Sequence, residues 1–85
     1  MDVIFKNEAL IDFKYWEKSG NKQIQKKISE LLKDIVKHPE TGIGKPEKLK
    51  YKLLGAWSRR INSEHRIVYE IVGDEIHILS LKGHY

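Results

Sequence analysis

The sequence contains no cysteine, which excludes both a disulfide framework and a thiolate metal site. It also has no hydrophobic run near the length of a membrane-spanning helix. The first 13 residues are too acidic, and their apolar run is too short, for a secretory signal peptide. We therefore expect a cytoplasmic protein without a membrane partner.

Several catalytic motifs are missing as well. The chain has no glycine-rich phosphate loop, P-loop or nucleophile elbow. Its four histidines are scattered and lack the spacing of metal ligands. We expect neither a metal nor another cofactor, and any catalysis would depend on ordinary side chains.

The length and composition of the chain indicate one small folded domain. The chain has 85 residues, of which 40% are hydrophobic and 33% charged, a composition typical of soluble globular proteins. A chain of this length can bury one core but not two. We expect a single domain over residues 1–85.

Hydrophobic periodicity predicts a strand near residues 3–5 and two helices after it. Asn7 is the predicted N-cap of a first helix over 8–18, and Ser19, Gly20 and Asn21 separate it from the second. The second helix has the clearest pattern, and Pro39 ends it. Its apolar stripe comprises Ile24, Ile28, Leu31, Leu32, Ile35 and Val36.

Residues 39–46 have the composition of a loop, and strands follow it. Apolar or aromatic runs at 57–61, 65–72 and 75–81 are separated by short turns, a pattern typical of an antiparallel meander. The order β-α-α-β-β-β predicts an α+β fold with both helices on one face of a mainly antiparallel sheet. Since the helices cover one face only, we expect the other face to form a cleft or to be covered by a partner.

Residues 44–69 hold all of the excess charge of the protein. Seven basic and two acidic residues lie there, a local charge of +5, while the other 59 residues sum to −1. All three arginines belong to this segment. Charge concentrated in this way indicates a polyanionic partner.

The same segment carries a family resemblance. KPEKLK at 45–50, GAWSRRI at 55–61, EHRIVY at 64–69 and the final His84-Tyr85, in this order and spacing, resemble the YoeB/Txe toxins of bacterial toxin–antitoxin modules. These toxins belong to the RelE-like superfamily. The resemblance covers nearly the whole chain and implies the RelE-like fold.

Metal-free RNA cleavage requires a base for the ribose 2′-hydroxyl, a cation for the phosphorane and an acid for the leaving 5′-oxygen. The resemblance implies Glu47 as the general base, Arg66 as the phosphate clamp and His84 as the general acid. Tyr85 would orient or stack on a base. Glu64 would support the site. The basic side chains that would bind RNA are Lys45, Lys48, Lys50, Lys52, Arg59 and Arg60.

Each assignment has a structural alternative. Arg66 could pair with Glu64 or Glu70 on the protein surface, and Glu47 could be a solvated acid among lysines. A terminal His-Tyr is often a frayed tail.

Further along the chain, Arg59 and Arg60 are adjacent in a predicted strand, so they must point to opposite faces, and one of them is expected to be structural. Trp57 is expected to anchor the core or an interface. His65 and His77 lie in strand patterns, where structural roles are expected.

The resemblance implies a ribosome-dependent endoribonuclease that cuts mRNA in the ribosomal A site, beside 16S rRNA, and leaves 2′,3′-cyclic phosphate and 5′-hydroxyl ends. It also implies a YefM-like antitoxin and a toxin homodimer. The alternative is a non-catalytic basic module that binds RNA or a protein partner. The chain departs from the family pattern at Ala56 and at Gly83, where glycine predicts a more flexible tail.

Overall fold

The computed structural model describes residues 1–83, so His84 and Tyr85 lie outside the described part of the chain. The predicted α+β fold, with two helices packed on a mainly antiparallel sheet, is confirmed. Within residues 1–83, no helix is long and apolar enough to cross a membrane. The elements, in chain order, are β1 (Asp2–Phe5), α1 (Asn7–Ser19), α2 (Lys22–Lys37), β2 (Glu47–Lys48), a 3-10 helix (Tyr51–Leu53), β3 (Ala56–Arg60), β4 (Arg66–Val72) and β5 (Glu75–Ser80).

The five strands form one sheet in the order β1-β5-β4-β3-β2. The pairs β3–β4 and β4–β5 are antiparallel, as the meander pattern predicts, and β2 is antiparallel to β3. β1 pairs with β5 in parallel, with Val3 opposite Ile76 and Phe5 opposite Ile78. The sequence pattern did not indicate the two-residue strand β2, which is too short to show a periodicity.

Both helices end where turn chemistry predicts, but α1 begins one residue early. Gly20 ends α1 in the left-handed conformation (φ 71°). Asn21 caps α2, since its side-chain oxygen accepts from the Ile24 N–H at 3.1 Å. Lys6, not Asn7, is the N-cap of α1, and no side-chain hydrogen bond caps that end. The Lys6 N–H still bonds to Ile78 of the sheet, so β1 passes directly into the helix.

The core lies between the helices and one face of the sheet. The α2 stripe supplies Ile24, Ile28, Leu31 and Ile35, all buried, and the inward side of β4 supplies Ile67 and Tyr69. Val68 points to the other face, yet it is only 1% exposed. Its register partners on that face are two buried serines, Ser58 and Ser80. Around Val68, the sheet face away from the helices is therefore buried and carries small side chains.

A charged side chain sits inside the core. Arg59 is completely buried, and its guanidinium donates to the Asp34 carboxylate and to the backbone oxygens of His38, Thr41 and Ile43. Its Nε donates to the Tyr69 hydroxyl at 3.1 Å. Asp34 lies in the last turn of α2, the three backbone acceptors lie between α2 and β2, and Tyr69 lies on the inner face of β4. Arg59 is thus the internal anchor of the loop that precedes Glu47.

The same anchor requires glycine in the loop. Gly42 has φ 116°, and a Cβ built there would lie 2.0 Å from Asp34 Oδ2. The loop backbone can approach the carboxylate only because no side chain intervenes. The Ile43 N–H then donates to the same carboxylate at 3.1 Å.

The hydrogen bond from Arg59 is the main reason that the pKa of Asp34 lies below its ordinary value of 3.8. Burial, in contrast, raises the pKa of Tyr69. A carboxyl whose pKa is lowered by folding stabilises the fold fully above its unfolded pKa. The stabilisation is lost as the pH falls through the lower, folded value.

We expect urea unfolding to show this loss below about pH 4, while the contribution of Asp34 stays constant between pH 5 and 7. An Asp34→Asn variant, which cannot carry the charge, should be less stable at neutral pH and should lose less stability on acidification. Glu30→Gln, at an exposed position of α2, is the matched control. Parallel acid profiles for all three proteins would contradict the assigned role of Asp34.

Candidate functional site

The register of β2, β3 and β4 brings Glu47 and Arg66 to the same face of the sheet. Glu47 lies opposite Ser58, Ser58 lies opposite Val68, and Arg60 lies opposite Arg66. Alternate residues of a strand share a face, so Glu47, Ser58, Arg60 and Arg66 all belong to the face away from the helices. We call this set the Glu47–Arg66 face.

The Arg66 guanidinium lies beside the Glu47 carboxylate. Arg66 Nη1 is 3.6 Å from Glu47 Oε2 and donates to Ser58 Oγ at 3.1 Å. The Arg66 side chain is 17% exposed and that of Glu47 is 62% exposed. A distance of 3.6 Å is too long for a strong charged hydrogen bond, so the carboxylate and the guanidinium are neighbours rather than a locked pair. The sequence left Glu64 and Glu70 open as ion-pair partners of Arg66. In the structure, the carboxylate next to Arg66 is that of Glu47.

Two positive charges face each other across the strands at this point. Arg60 and Arg66 are direct register partners on β3 and β4. Like charges placed opposite each other in a sheet are destabilising. Glu47 offsets part of this repulsion, and a bound anion would offset more, because guanidinium groups bind phosphate oxygens in a planar, bidentate manner.

The remaining basic candidates lie in and next to β2 and the 3-10 helix, and not all of them share the Glu47–Arg66 face. Lys45, Lys50 and Lys52 are exposed, the last two beside and within the 3-10 helix. Lys48 lies opposite Trp57, with its ammonium 5.9 Å from the ring centroid, so it follows the other side of β2. Glu64 is exposed and donates its backbone N–H to Asn62.

Arg59 corrects one prediction. It was a candidate RNA contact, but its side chain is completely buried and donates to protein acceptors. Arg60, one residue along, is exposed. The expectation that one of the two is structural holds, and Arg59 is that residue.

The aromatic and histidine side chains with expected structural roles have them. Trp57 is partly buried against the core. His77 Nε2 lies 2.9 Å from Glu75 Oε1. His65 Nδ1 accepts from the Gly83 N–H at 2.9 Å, and the imidazole contacts the Trp16 ring edge to face, with centroids 4.9 Å apart.

Four hydrogen bonds hold the segment 81–83, which leads to His84. The Leu81 N–H donates to Asp12 Oδ2 at 2.9 Å, and Trp16 Nε1 donates to the Leu81 oxygen at 2.8 Å. The Gly83 N–H donates to His65, and the Gly83 oxygen accepts from the Arg66 N–H at 2.8 Å. We call Asp12, Trp16, His65 and the Arg66 N–H the tail clamp.

The tail clamp holds Gly83 itself, whereas the expected flexibility of the tail concerns residues outside the described part of the chain. Gly83 has φ 84°, a conformation that glycine adopts without strain. Both of its backbone polar groups are hydrogen-bonded. Glycine here permits a defined turn, and the catalytic assignments of His84 and Tyr85 concern residues outside the described part of the chain.

Sequence reasoning missed the partners of the candidate residues. Ser58 could have been found, because it lies two residues before Arg60 and so shares its face. Asp12 and Trp16 gave no such signal, since their bonds to Leu81 join residues 69 and 65 positions apart. Among residues 1–83, no three His, Asp or Glu side chains gather in a group suited to a metal ion.

The chain is similar to known proteins over nearly its whole length. Residues 5–85 match the family model described as the YoeB-like toxin of a bacterial type II toxin–antitoxin system. The chain is 46% identical to Toxin YoeB of Escherichia coli K12 over the full length of both. It is also similar to the YoeB dimer of Staphylococcus aureus, with 48% identity, a TM-score of 0.90 and coverage of 100% and 98%. A YoeB–YefM heterotetramer from the same organism matches with 48% identity, a TM-score of 0.89 and the same coverage.

Proposed function

Since the chain belongs to the YoeB family of toxins from bacterial type II toxin–antitoxin systems, we propose that it is an endoribonuclease that cuts mRNA in the ribosomal A site. The observation that carries the proposal is the Glu47–Arg66 face, where a carboxylate and a guanidinium lie 3.6 Å apart away from the helices. A carboxylate can take a proton and a guanidinium can bind a phosphate, so the pair suits attack by a ribose 2′-hydroxyl on the adjacent phosphorus.

In the proposed reaction, Glu47 takes the proton of the 2′-hydroxyl while the 2′-oxygen forms its bond to phosphorus. Arg66 stabilises the negative charge that develops on the phosphorane oxygens. The bond from phosphorus to the 5′-oxygen breaks, and His84 donates a proton to that oxygen. The products are a 2′,3′-cyclic phosphate and a 5′-hydroxyl, and no metal takes part. Tyr85 orients the base beside the cut.

The geometry of Arg66 suits this role. Ser58 uses one of the five N–H donors of the guanidinium and fixes its position. The contact with Glu47 is long, and Glu47 is mostly exposed, so the ion pair itself contributes little to stability. A substrate phosphate can therefore replace Glu47 as the partner of Arg66 at a small cost, which leaves the carboxylate free to act as a base.

The test is primer extension on a translated message, with and without the purified protein. Cuts that require ribosomes and fall within codons support the proposal, provided that Glu47→Gln removes them. A protein that binds ribosomes but leaves the message intact would instead be the non-catalytic RNA-binding module. A protein that cuts naked RNA equally well would contradict the ribosome requirement.

We further propose that the basic side chains outside the catalytic pair dock on ribosomal RNA and on the message backbone. Simultaneous replacement of Lys48, Lys50 and Lys52 by alanine should flatten the salt dependence of ribosome binding. Loss of three phosphate contacts lowers the log–log salt slope by about 2. The measurement is the ribosome affinity at several salt concentrations.

A triple variant with the same change in net charge serves as the control for this prediction. Lys14, Lys18 and Lys33 are exposed on the two helices, and their replacement should leave the slope close to that of the native protein. Equal slopes for both triple variants would show that net charge, not the docking surface, sets the salt dependence.

The relatives suggest the partners of this chain. Because solved structures of Staphylococcus aureus YoeB include a complex with YefM and a dimer, we propose a YefM-like antitoxin and a toxin homodimer. An acidic antitoxin segment would neutralise the Arg60–Arg66 repulsion and cover Glu47. An antitoxin truncated before its acidic segment should therefore bind but no longer inhibit cleavage.

A further inference from the structure

The strongest unexplained feature is the contact of His65 with the end of the described chain. His65 lies directly before Arg66, and its ring accepts a hydrogen bond from Gly83, 18 residues further along the chain. The tail clamp thus includes two adjacent residues. The side chain of His65 binds the Gly83 N–H, and the backbone N–H of Arg66 binds the Gly83 oxygen.

We propose that His65 is a positioning residue for His84, acting through the hydrogen bond from Gly83 to its Nδ1. The proposal rests on the assignment of His84 as the general acid in the proposed function. The peptide plane that contains the Gly83 carbonyl also contains the nitrogen of residue 84. Fixing the N–H and the carbonyl of Gly83 therefore fixes the direction in which the chain continues.

His65 is itself held in place. Its backbone N–H donates to Asn62 Oδ1 at 2.7 Å, and its oxygen accepts from the N–H of Ile61 at 2.9 Å. The edge-to-face contact with Trp16, with ring planes at 77°, orients the imidazole. Because Nδ1 accepts the Gly83 N–H, the ring must be neutral, with its proton on Nε2.

Gly83 is the residue at which such control matters. It is the most permissive residue type, and at φ 84° it has open space around the position of a Cβ. Held on one side only, its backbone could rotate and change the direction in which the chain continues. A displacement of about 1 Å at a catalytic group can cost roughly 100-fold in rate.

The experiment compares His65→Phe with His65→Asn. Phenylalanine keeps a ring against Trp16 but offers no acceptor, while asparagine offers an oxygen near the place of Nδ1. We expect His65→Phe to lower single-turnover cleavage of ribosome-bound message about 10- to 100-fold with ribosome affinity unchanged within about twofold. His65→Asn should recover most of the cleavage rate. Exchange of the Gly83 amide hydrogen with solvent should be slow in the native protein, fast in His65→Phe and intermediate in His65→Asn.

Several results would overturn the proposal. A native cleavage rate in His65→Phe would do so. Equal losses of cleavage in His65→Phe and His65→Asn would also do so, if the Gly83 amide stayed protected from exchange in both variants. A rapidly exchanging Gly83 amide in the native protein would also reject it, even if His65→Phe failed to fold. A His84→Ala variant that cleaves at the native rate would instead reject the assignment of His84, whatever the exchange of Gly83 shows.

Discussion

An Arg66→Ala variant is expected to lose cleavage of ribosome-bound message by about 100- to 1,000-fold, or about 3–4 kcal/mol of transition-state stabilisation. The guanidinium lies next to Glu47 and is fixed by Ser58, so it is placed to bind the phosphate that reacts. Alanine offers no donor to that phosphate. Single-turnover primer extension at saturating protein measures the loss.

Two comparisons separate catalysis from folding in this prediction. Arg66→Lys keeps the positive charge but loses the planar fork, so its rate should lie between those of the native protein and Arg66→Ala. Thermal unfolding of both variants should remain cooperative, because the polar contacts of the Arg66 side chain within residues 1–83 are one hydrogen bond to Ser58 and a long contact with the exposed Glu47. An unfolded Arg66→Ala protein, or one that cuts normally, would make Arg66 a structural residue.

An Arg59→Met variant is expected to lose about 3–5 kcal/mol of folding stability. Methionine fills much of the volume of the side chain but leaves the Asp34 carboxylate and several backbone oxygens without their buried donor. A domain of this size is typically stable by only about 5–15 kcal/mol, so the loss is a large fraction of the folding stability. Urea unfolding measures it.

The matched control for this second prediction is Arg60→Met, the same change one residue along the strand. Arg60 is exposed, so its replacement should change the stability by no more than about 0.5 kcal/mol. Combining Arg59→Met with Asp34→Leu should recover part of the loss, because it removes the carboxylate that has lost its cation. Equal stabilities of the two methionine variants would contradict the anchor role of Arg59.

The helices and the main strands could be predicted because local patterns specify them. The α2 stripe and Asn21 determine the position of one helix, and the Gly73-Asp74 turn separates β4 from β5. The alternation of a strand likewise predicted that Arg59 and Arg60 face apart. It could not say which of them is buried, because the answer depends on Asp34, which is 25 residues away in sequence.

In the candidate site, too, local sequence indicated which residues matter but not how they come together. The basic segment and its resemblance to a family were sufficient to select Glu47 and Arg66. Their approach depends on β2, a strand of only two residues that pairs with β3 after a loop anchored by Arg59. Such pairing is set by non-local contacts, so no pattern within 39–48 could predict it. The same holds for Gly83, whose conformation depends on His65 and Arg66.

The order of the strands has a consequence for how the protein is made. β5 lies between β1 and β4, so the first strand to be synthesised has its neighbour only when residues 75–80 are available. A nascent chain that has not reached β5 leaves β1 without a partner and deprives α1 of the strand on which it packs. The five-stranded sheet can therefore be completed only after β5 has been synthesised. A toxin with this topology cannot complete its fold until the codons of β5 have been translated.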